Sequence, residues 1–368
     1  MSPEVVDPAK VKMVDLFAGP GGLDVAASWL GVPTMGIERD ENACATRTAA
    51  GLWTEPSDVR DLGPGAYPNA VVLTGGPPCQ TFSVAGSGAG RRALDQVLAF
   101  IDRMDDGEDV RSDLEQLEDE RTGLVLEPLR WILEAIQLQQ RYRTVVLEQV
   151  PAVLPVWQRY KGVLSARGYD VVAGILRTEE YGVPQTRRRA ILIASLDVKA
   201  ELPTATHQRF RRTNATSDLR AGGLERQADR RDWVSMGEAL RQDNKFVVVS
   251  NYGTGGDPKA RGERRFDEPA YTVTGKVSRN RMMTLDGEYI RHLTIEDASL
   301  LQTFPLNYPW SGKDVAQQVG NAIPPRLAAH VLSAAMHGRK PNATALDEAV
   351  GSIWNRCEVG EHRMLDND

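Results

Sequence analysis

The first half of this 368-residue chain predicts an α/β fold, with a doubly wound and mostly parallel sheet. Short apolar runs alternate with longer amphipathic segments, and a glycine-rich turn follows the first run. Strands are expected at 13–17, 34–38, 71–74, 144–148, 169–177 and 190–195, and helices at 23–30, 41–50, 124–139 and 153–167. The third helix is the clearest, because Leu126, Leu129, Ile132 and Ile136 follow one stripe.

After residue 196 this alternation ends, and the sequence predicts a second, smaller and mostly irregular domain over 197–290. β-like runs occur there at 246–250 and 271–274. Helical patterns return at 294–303, where Thr294 and Asp297 have the spacing of a capping box, and at 326–336, a helix that we expect to pack on the first domain. The predicted division is a first domain of 1–196 plus 306–350, a second of 197–290, a hinge of 291–305 and a tail of 351–368.

The formal charge of −6 is unusual for a protein that binds nucleic acid, but the charge is unevenly distributed. Residues 88–121 contain five Arg and eleven Asp or Glu, a net charge equal to that of the whole chain. Residues 197–290 contain seventeen Lys or Arg and fourteen Asp or Glu, with basic clusters at 209–212, 230–231 and 261–265. One such cluster is usually a solvated face, whereas several in one region indicate a domain that faces a polyanion. The acidic stretch is interpreted as a charged surface helix or helical hairpin, or else as a disordered segment.

Composition argues against membrane and disulfide-rich classes. No apolar run approaches the length of a membrane span, and the first ten residues lack a signal-peptide pattern, which predicts a cytoplasmic protein. The three cysteines, Cys44, Cys79 and Cys357, are too few and too scattered for a disulfide framework. No CxxC pair or His/Cys cluster indicates a metal site.

Cys79 follows an apolar run at 70–73, the pair Gly75-Gly76 and two prolines. The run is typical of a buried strand, the glycines end it, and the prolines stiffen the turn that presents the thiol. This setting favours a reactive thiol. A free cysteine is more often a small buried apolar residue, and the motif alone leaves both interpretations open.

Residues 15–22 (DLFAGPGG) follow the first predicted strand and open the first helix. Glycines allow backbone amides to approach a ligand, and a helix N-terminus favours anionic groups, although such a turn alone fits many nucleotide-binding folds. Glu38 ends the second strand, where it can accept hydrogen bonds from ribose hydroxyls, and Asp58 precedes the next strand, where it can accept from an adenine amino group. Either acid in isolation is more often a surface charge. Their positions at successive strand ends indicate a cofactor that contains a nucleoside.

Six blocks in one order make the chain resemble the cytosine-C5 DNA methyltransferases over nearly its whole length. They are 15–22, 75–83 (GGPPCQTFS), 146–150 (VLEQV), 181–190 (YGVPQTRRRA), 291–305 (RHLTIEDASLLQTFP) and 318–325 (QVGNAIPP). The resemblance implies a Rossmann-like fold of class I methyltransferases, S-adenosylmethionine as cofactor and 197–290 as the target-recognition domain.

The resemblance also implies roles for single residues. Cys79 thiolate would add to C6 of a cytosine flipped out of double-stranded DNA, and Glu148 would hydrogen-bond N3 and supply a proton while methyl passes to C5. Arg189 and Arg187 would contact the flipped base and its phosphates, and Gln185 would order that segment. Phe17 would stack on the adenine, Gly19, Gly21 and Gly22 would admit the methionine end, Pro78 would fix the catalytic loop beside the cofactor, Asn321 would close the pocket, and Gln80 and Ser83 would lie on the DNA side.

The chain departs from the family pattern in two places. Gln149 stands where the family usually has Asn, so we expect its contact with the catalytic loop to shift. The acidic stretch 88–121 follows the catalytic loop, where its charge would repel phosphates, so we expect it to face away from DNA or to contact another protein.

Three other functions fit the sequence less well. An RNA methyltransferase of the same fold would carry a Cys-Phe-Thr motif that this sequence lacks, and a silent DNA-binding paralogue would tend to lose Cys79 or Glu148. A nicotinamide-dependent oxidoreductase would leave Cys79 unexplained. We expect a monomer that acts on duplex DNA in a prokaryotic or phage-infected cell. The enzyme either has a cognate restriction endonuclease or is solitary, and the sequence does not predict its recognition site.

Overall fold

The structure is a computed structural model that describes residues 6–78, 88–117, 119–211, 227–250 and 262–355. Strands of the first half are β1 (Met13–Leu16), β2 (Thr34–Ile37), β3 (Thr54–Glu55), β4 (Val72–Gly75), β5 (Thr144–Gln149), β6 (Asp170–Arg177), β7 (Gln185–Thr186) and β8 (Arg188–Ser195). Its helices are α1 (Gly22–Trp29), α2 (Glu41–Ala49), α3 (Gly88–Asp105), α4 (Arg111–Leu114), α5 (Glu120–Gly123), α6 (Glu127–Gln137) and α7 (Leu154–Ser165). The six predicted strands and four predicted helices of this half are confirmed, with ends that differ by up to three residues.

The second half contains α8 (Met236–Ala239), β9 (Val247–Ser250), β10 (Glu263–Arg265), β11 (Ala270–Tyr271), β12 (Asn280–Met283), β13 (Tyr289–His292), α9 (Ile295–Leu301), α10 (Val315–Asn321), α11 (Pro325–His337) and α12 (Ala343–Gly351). The predicted capping box at Thr294 and Asp297 is present, with each side chain accepting the other's backbone N–H. The predicted return of the late helix is also confirmed, because α11 packs against α1 and the central sheet.

Seven strands form a sheet in the order β3-β2-β1-β4-β5-β8-β6. Neighbours from β3 to β5 run parallel, whereas β8 lies antiparallel between β5 and β6. Apolar side chains on one face pack against α3, α6 and α7, and those on the other face pack against α1 and α11. The predicted doubly wound, mostly parallel sheet is confirmed.

A second sheet of four antiparallel strands has the order β10-β9-β12-β13. One face is buried, with Val248 and Met282 packed in a cluster that includes Ala298 and Leu301 of α9. The predicted β-like run at 246–250 is confirmed as β9, whereas the sheet that it forms with β10, β12 and β13 was not predicted. The predicted run at 271–274 forms a strand only at Ala270–Tyr271, which pairs with β7.

The acidic stretch is helical in its described part, which contradicts the interpretation as disorder. It is also more than a surface feature, because Val97, Ile101 and Met104 of α3 are buried in the main core beside α7. Asp102 pairs with Arg159. Removal of the whole stretch would therefore open the core, and its relation to DNA has to be tested by changing surface charges. No helix among the described residues is long and apolar enough to cross a membrane.

A buried ion pair lies beneath the first glycine-rich turn. Arg47 of α2 donates to both carboxylate oxygens of Asp24 in α1, at 2.7 and 2.8 Å, and also to the Trp53 carbonyl and the Thr54 hydroxyl. Neither charged side chain is more than 2% exposed. A Cβ atom at Gly36 would overlap the guanidinium, so β2 needs glycine at this position.

We predict that Gly36→Ala destabilises the protein by about 3–5 kcal/mol, because the added methyl group displaces Arg47 and leaves Asp24 buried without its partner. Gly162→Ala is the matched control. Gly162 is an exposed position of α7 with nothing within 4 Å of an added Cβ, so this variant should be at least as stable as the wild type. Urea unfolding monitored by circular dichroism measures both, and equal midpoints for the two variants would contradict the prediction.

Candidate active site

The sequence-predicted residues gather at the carboxyl edge of the central sheet. Four parallel strands, β2, β1, β4 and β5, lie side by side and end there in Glu38, Phe17, the Gly76-Pro77-Pro78 segment and Glu148. Neighbouring strands are about 4.8 Å apart, so Glu148 and the turn after β1 are separated by about 10 Å, with the chain that leaves β4 between them.

Glu148 is held by an ion pair with Arg189. The Arg189 Nε lies 2.6 Å from Glu148 Oε1, and the two side chains are 13% and 10% exposed. The β5–β8 register explains the contact: Glu148 is opposite Ile191, and Arg189, two residues earlier, shares that face of the sheet. The other carboxylate oxygen, Oε2, lies above Gly76. The structure thus brings together two of the predicted catalytic residues and directs them toward the β4 loop.

Gln149 anchors the start of the catalytic loop. Its Nε2 donates to the Pro77 carbonyl, and its Oε1 accepts the backbone N–H of Val150. The side chain is buried, so both polar ends are satisfied internally. This is the contact for which the sequence predicted a shift. Pro78 follows directly, and Cys79, Gln80 and Ser83 lie outside the described residues.

The turn after β1 has the backbone conformation of a ligand cradle. Phe17, Gly19 and Gly21 have positive φ values of 58°, 54° and 104°. Around Gly19 nothing lies within 4 Å of where a Cβ would be, so the space above the turn is open. The first turn of α1 has no side-chain cap, which leaves its N–H groups available to an anion. A Cβ at Gly22 would overlap the Ile323 carbonyl, so the C-terminal segment closes directly against this turn.

The two acids predicted for the nucleoside differ in availability. Glu38 Oε2 accepts the Gly19 N–H at 2.8 Å and Oε1 accepts the Asp40 N–H at 2.7 Å, which fixes the carboxylate beside the turn with further lone pairs free. Asp58 instead accepts four hydrogen bonds from Arg39 and Arg60. Partial burial raises the pKa of Asp58, but the bonds from Arg60 and Arg39 outweigh burial and hold it well below its usual range. The geometry does not support an adenine contact by Asp58.

Gln185 and Arg187 bond to the segment around Val273 and to the chain of α9 and α10 instead of lining the open edge. Arg187 is 2% exposed and donates to the carbonyls of Val273, Gly320 and Ala322 at 2.9–3.2 Å. This burial does not support the predicted contact between Arg187 and a flipped base. Gln185 donates to the carbonyl of Leu301 and to the side chain of Gln302, and accepts from Val273 N–H. These bonds agree with the prediction that Gln185 orders the segment 181–190.

Asn321, the residue predicted to close the pocket, is the last residue of α10, two residues before Ile323. Its side chain is exposed and accepts a hydrogen bond from Gln317 at 2.8 Å.

Cys44 is the free cysteine in the described ranges. Its thiol donates to the Glu38 carbonyl, and burial, then the Glu38 charge, raises its pKa to about 11. A thiol so protonated is a poor nucleophile.

Sequence reasoning missed residues that act from behind the turn. Asp15 is buried, accepts the Thr74 hydroxyl, and has a pKa raised well above its usual range by burial and by Asp24. Tyr308 donates to the Pro20 carbonyl at 2.5 Å. Neither contact has a local sequence signal, because the partners are 59 and 288 residues apart. In the described part of the chain no group of three or more His, Cys, Asp or Glu side chains is arranged to hold a metal ion.

Comparisons with known proteins agree with this geometry. The family model of C-5 cytosine-specific DNA methylases matches residues 11–101 and 114–337. The type II methyltransferase M1.HphI of Haemophilus parahaemolyticus is 26% identical over 355 residues, covering 88% of this chain and 86% of that protein. M.MthTI of Methanothermobacter thermautotrophicus, also a type II methyltransferase, is 23% identical over 348 residues, covering 86% and 94%.

Solved structures show the same fold. The Dnmt2 methyltransferase of S. pombe superposes with a TM-score of 0.57 at 14% identity and covers 89% of this chain and 99% of its own. A putative DNA modification methyltransferase encoded within an E. coli prophage gives 0.55 at 17% identity, covering 88% and 97%. The chain is a DNA cytosine-5-methyltransferase that uses S-adenosylmethionine, and it belongs to the C-5 cytosine-specific DNA methylase family.

Proposed function

We propose that the chain methylates a cytosine extruded from duplex DNA, with Cys79 as the nucleophile and Glu148 as the group that holds N3. The observation that carries the proposal is the ion-paired Glu148 carboxylate at the end of β5. β5 neighbours β4, and the chain leaves β4 toward Cys79. A thiolate and a carboxyl group on adjacent strand ends can approach two edges of one pyrimidine ring.

The chemistry requires both groups. Addition of the Cys79 thiolate to C6 breaks the C5–C6 π bond and leaves C5 with the electron density of an enamine. Glu148 hydrogen-bonds at N3 and supplies a proton as charge builds on the ring, and Arg189 keeps the carboxyl group aimed. After C5 carries its methyl group, the C5 proton leaves to solvent, the C5–C6 double bond re-forms as the thiolate departs, and the proton at N3 returns to Glu148.

The turn after β1 suits the cofactor. Bound S-adenosylmethionine supplies the methyl group as an electrophilic sulfonium. Phe17 would pack on the adenine, Glu38 would accept from the ribose hydroxyls, and the uncapped first turn of α1 would meet the methionine carboxylate. The open space at Gly19 supports this fit, since any side chain there would enter the cradle.

Three arginines support a path for the DNA backbone along the same edge of the sheet. Arg177 and Arg188 are paired across the β6–β8 hairpin, at the end of β6 that lies on the active-site edge. Partial burial and then the charge of Arg209 lower the pKa of Arg177, which places the third arginine close by. Within the described ranges these three side chains have no hydrogen bond or ion pair. We propose that they contact phosphates beside the extruded base.

We further propose that the small sheet belongs to the target-recognition domain. Its buried face packs on α9, whereas the opposite face presents Arg281 and His292 to solvent, side chains able to read base edges. Because β13 crosses residue 290, the domain would extend to His292. The type II names of the relatives support a modification enzyme with a cognate restriction endonuclease. We propose in addition that it works as a monomer on DNA, in the cytoplasm of a prokaryotic or phage-bearing cell.

Substitution of the two proposed groups tests the chemistry. We predict that Cys79→Ser abolishes methyl transfer and that Glu148→Gln lowers its rate by about 10²–10⁴-fold, while both variants still bind duplex DNA. Cys44→Ser is the control and should keep wild-type activity, because that thiol is protonated. Incorporation of labelled methyl into duplex DNA and into tRNA measures the effect and the substrate preference. Substantial turnover by Cys79→Ser would refute the covalent route.

Gln149→Leu keeps the approximate volume of the side chain but leaves the buried Pro77 carbonyl without its donor. We predict a fall in kcat of about 10-fold, because the base of the Cys79 loop loses its anchor. Affinity for S-adenosylhomocysteine should stay within twofold of wild type, since the turn after β1 is not altered. An unchanged kcat would show that the loop does not depend on this contact.

Arg188→Gln should weaken binding to duplex DNA of any sequence and reduce the slope of log K against log salt by about 0.9, the value for one phosphate contact. Arg111→Gln is the matched control, because Arg111 is an arginine of the acidic stretch with a 74% exposed side chain. Its slope should equal that of wild type if the stretch faces away from DNA. Fluorescence anisotropy across a salt series measures both, and an unchanged slope for Arg188→Gln would contradict the phosphate assignment.

A further inference from the structure

Residues that follow the family match support the cofactor turn from behind. The match ends at residue 337, yet the chain continues through α12 into the segment Ser352–Trp354, which we call the strap. The Leu306 N–H donates to the Ser352 carbonyl, and the Trp354 N–H donates to the Leu306 carbonyl, both at 2.8 Å. Trp354 Nε1 donates to the Ala50 carbonyl at the end of α2 at 3.1 Å. The strap is therefore fixed at three points.

Trp354 completes a cluster of four aromatic rings. It contacts Tyr308 edge-on, with ring centroids 5.4 Å apart, and Tyr308 in turn lies 4.7 Å from Phe304 and 5.0 Å from Trp310. Tyr308 is 5% exposed. With rings on several sides, its orientation is determined by packing rather than by solvent.

The hydroxyl of Tyr308 connects this cluster to the cofactor turn. It donates to the Pro20 carbonyl at 2.5 Å and would lie 3.0 Å from a Cβ at Gly21. Pro20 stands between Gly19 and Gly21, the two glycines with positive φ. Burial raises the pKa of Tyr308 above its usual range, so the hydroxyl keeps its proton and remains a donor.

We propose that Trp354 and Tyr308 are positioning residues for S-adenosylmethionine. Trp354 of the strap fixes the Tyr308 ring, and the Tyr308 hydroxyl fixes the Pro20 carbonyl, so that the turn is held open before the cofactor arrives. The inference rests on the proposed use of this turn as the cofactor site. A role in packing alone would lower stability without a selective effect on the cofactor.

The test measures binding of S-adenosylhomocysteine to the full chain by isothermal titration calorimetry. Tyr308→Phe keeps the ring and removes only the bond to Pro20, and we expect binding weakened by about 5- to 10-fold. The KM for S-adenosylmethionine should rise by the same factor, with kcat and the KM for DNA within twofold of wild type. Tyr160→Phe is the matched control. It also removes a buried tyrosine hydroxyl that donates to a backbone carbonyl, but that carbonyl belongs to Val125, outside the aromatic cluster, so affinity should not change.

A double-mutant cycle tests whether the strap acts through Tyr308. Trp354→Ala should weaken binding by about 5-fold, and Trp354→Phe, which keeps a ring against Tyr308, should restore most of it. In the double variant with Tyr308→Phe the losses should not multiply, because both act on one contact. Wild-type affinity in a folded Tyr308→Phe variant would overturn the proposal. Losses of affinity that multiply fully in the double variant would show that Trp354 does not act through Tyr308. Failure of the wild type to bind S-adenosylhomocysteine would instead contradict the cofactor assignment.

Discussion

The antiparallel insertion of β8 between β5 and β6 is the constraint on which the candidate site depends. It brings Arg189 beside Glu148 on one face of the sheet, so that a carboxylate on a side chain that is 10% exposed has a cation in contact. Without that partner the charged carboxylate would be costly to bury. The parallel pairing of β4 with β5 then fixes how far this carboxylate lies from the chain that leads to Cys79.

Buried polar contacts join the segment that leads into β8 to the helices that follow the small sheet. Arg187 and Gln185 bond to backbone atoms of the segment around Val273 and of α9 and α10. A Cβ at Gly320 would overlap the backbone of Thr274 and Gly275, so α10 and the segment around Val273 touch main chain to main chain. This close contact, with hydrogen bonds from Arg187 beside it, fixes α10 against the segment that follows β11.

Local patterns in the sequence predicted the strands and the glycine turn, because each depends on a few neighbouring residues, whereas the role of Glu148 was implied by the resemblance to the family. The resemblance gave Arg187 and Arg189 the same role, but Arg187 is buried against segments more than 80 residues away in the chain. In the small sheet β9 was predicted, but its partners were not, because strands such as β10, Glu-Arg-Arg, lack apolar alternation. The hydrogen bonds of Arg47, Tyr308 and Trp354 connect distant parts of the chain, so no pattern among neighbouring residues could predict them.

The most direct measurement of the central claim is peptide mapping of the protein trapped on DNA in which target cytosines carry fluorine at C5. Fluorine cannot leave as the C5 proton does, so the thiolate added at C6 cannot depart. In the presence of S-adenosylmethionine, mass spectrometry should find the nucleotide adduct on the peptide that contains Cys79. An adduct on Cys44, or methylation activity on ordinary DNA with no trapped protein on the fluorinated DNA, would contradict the account.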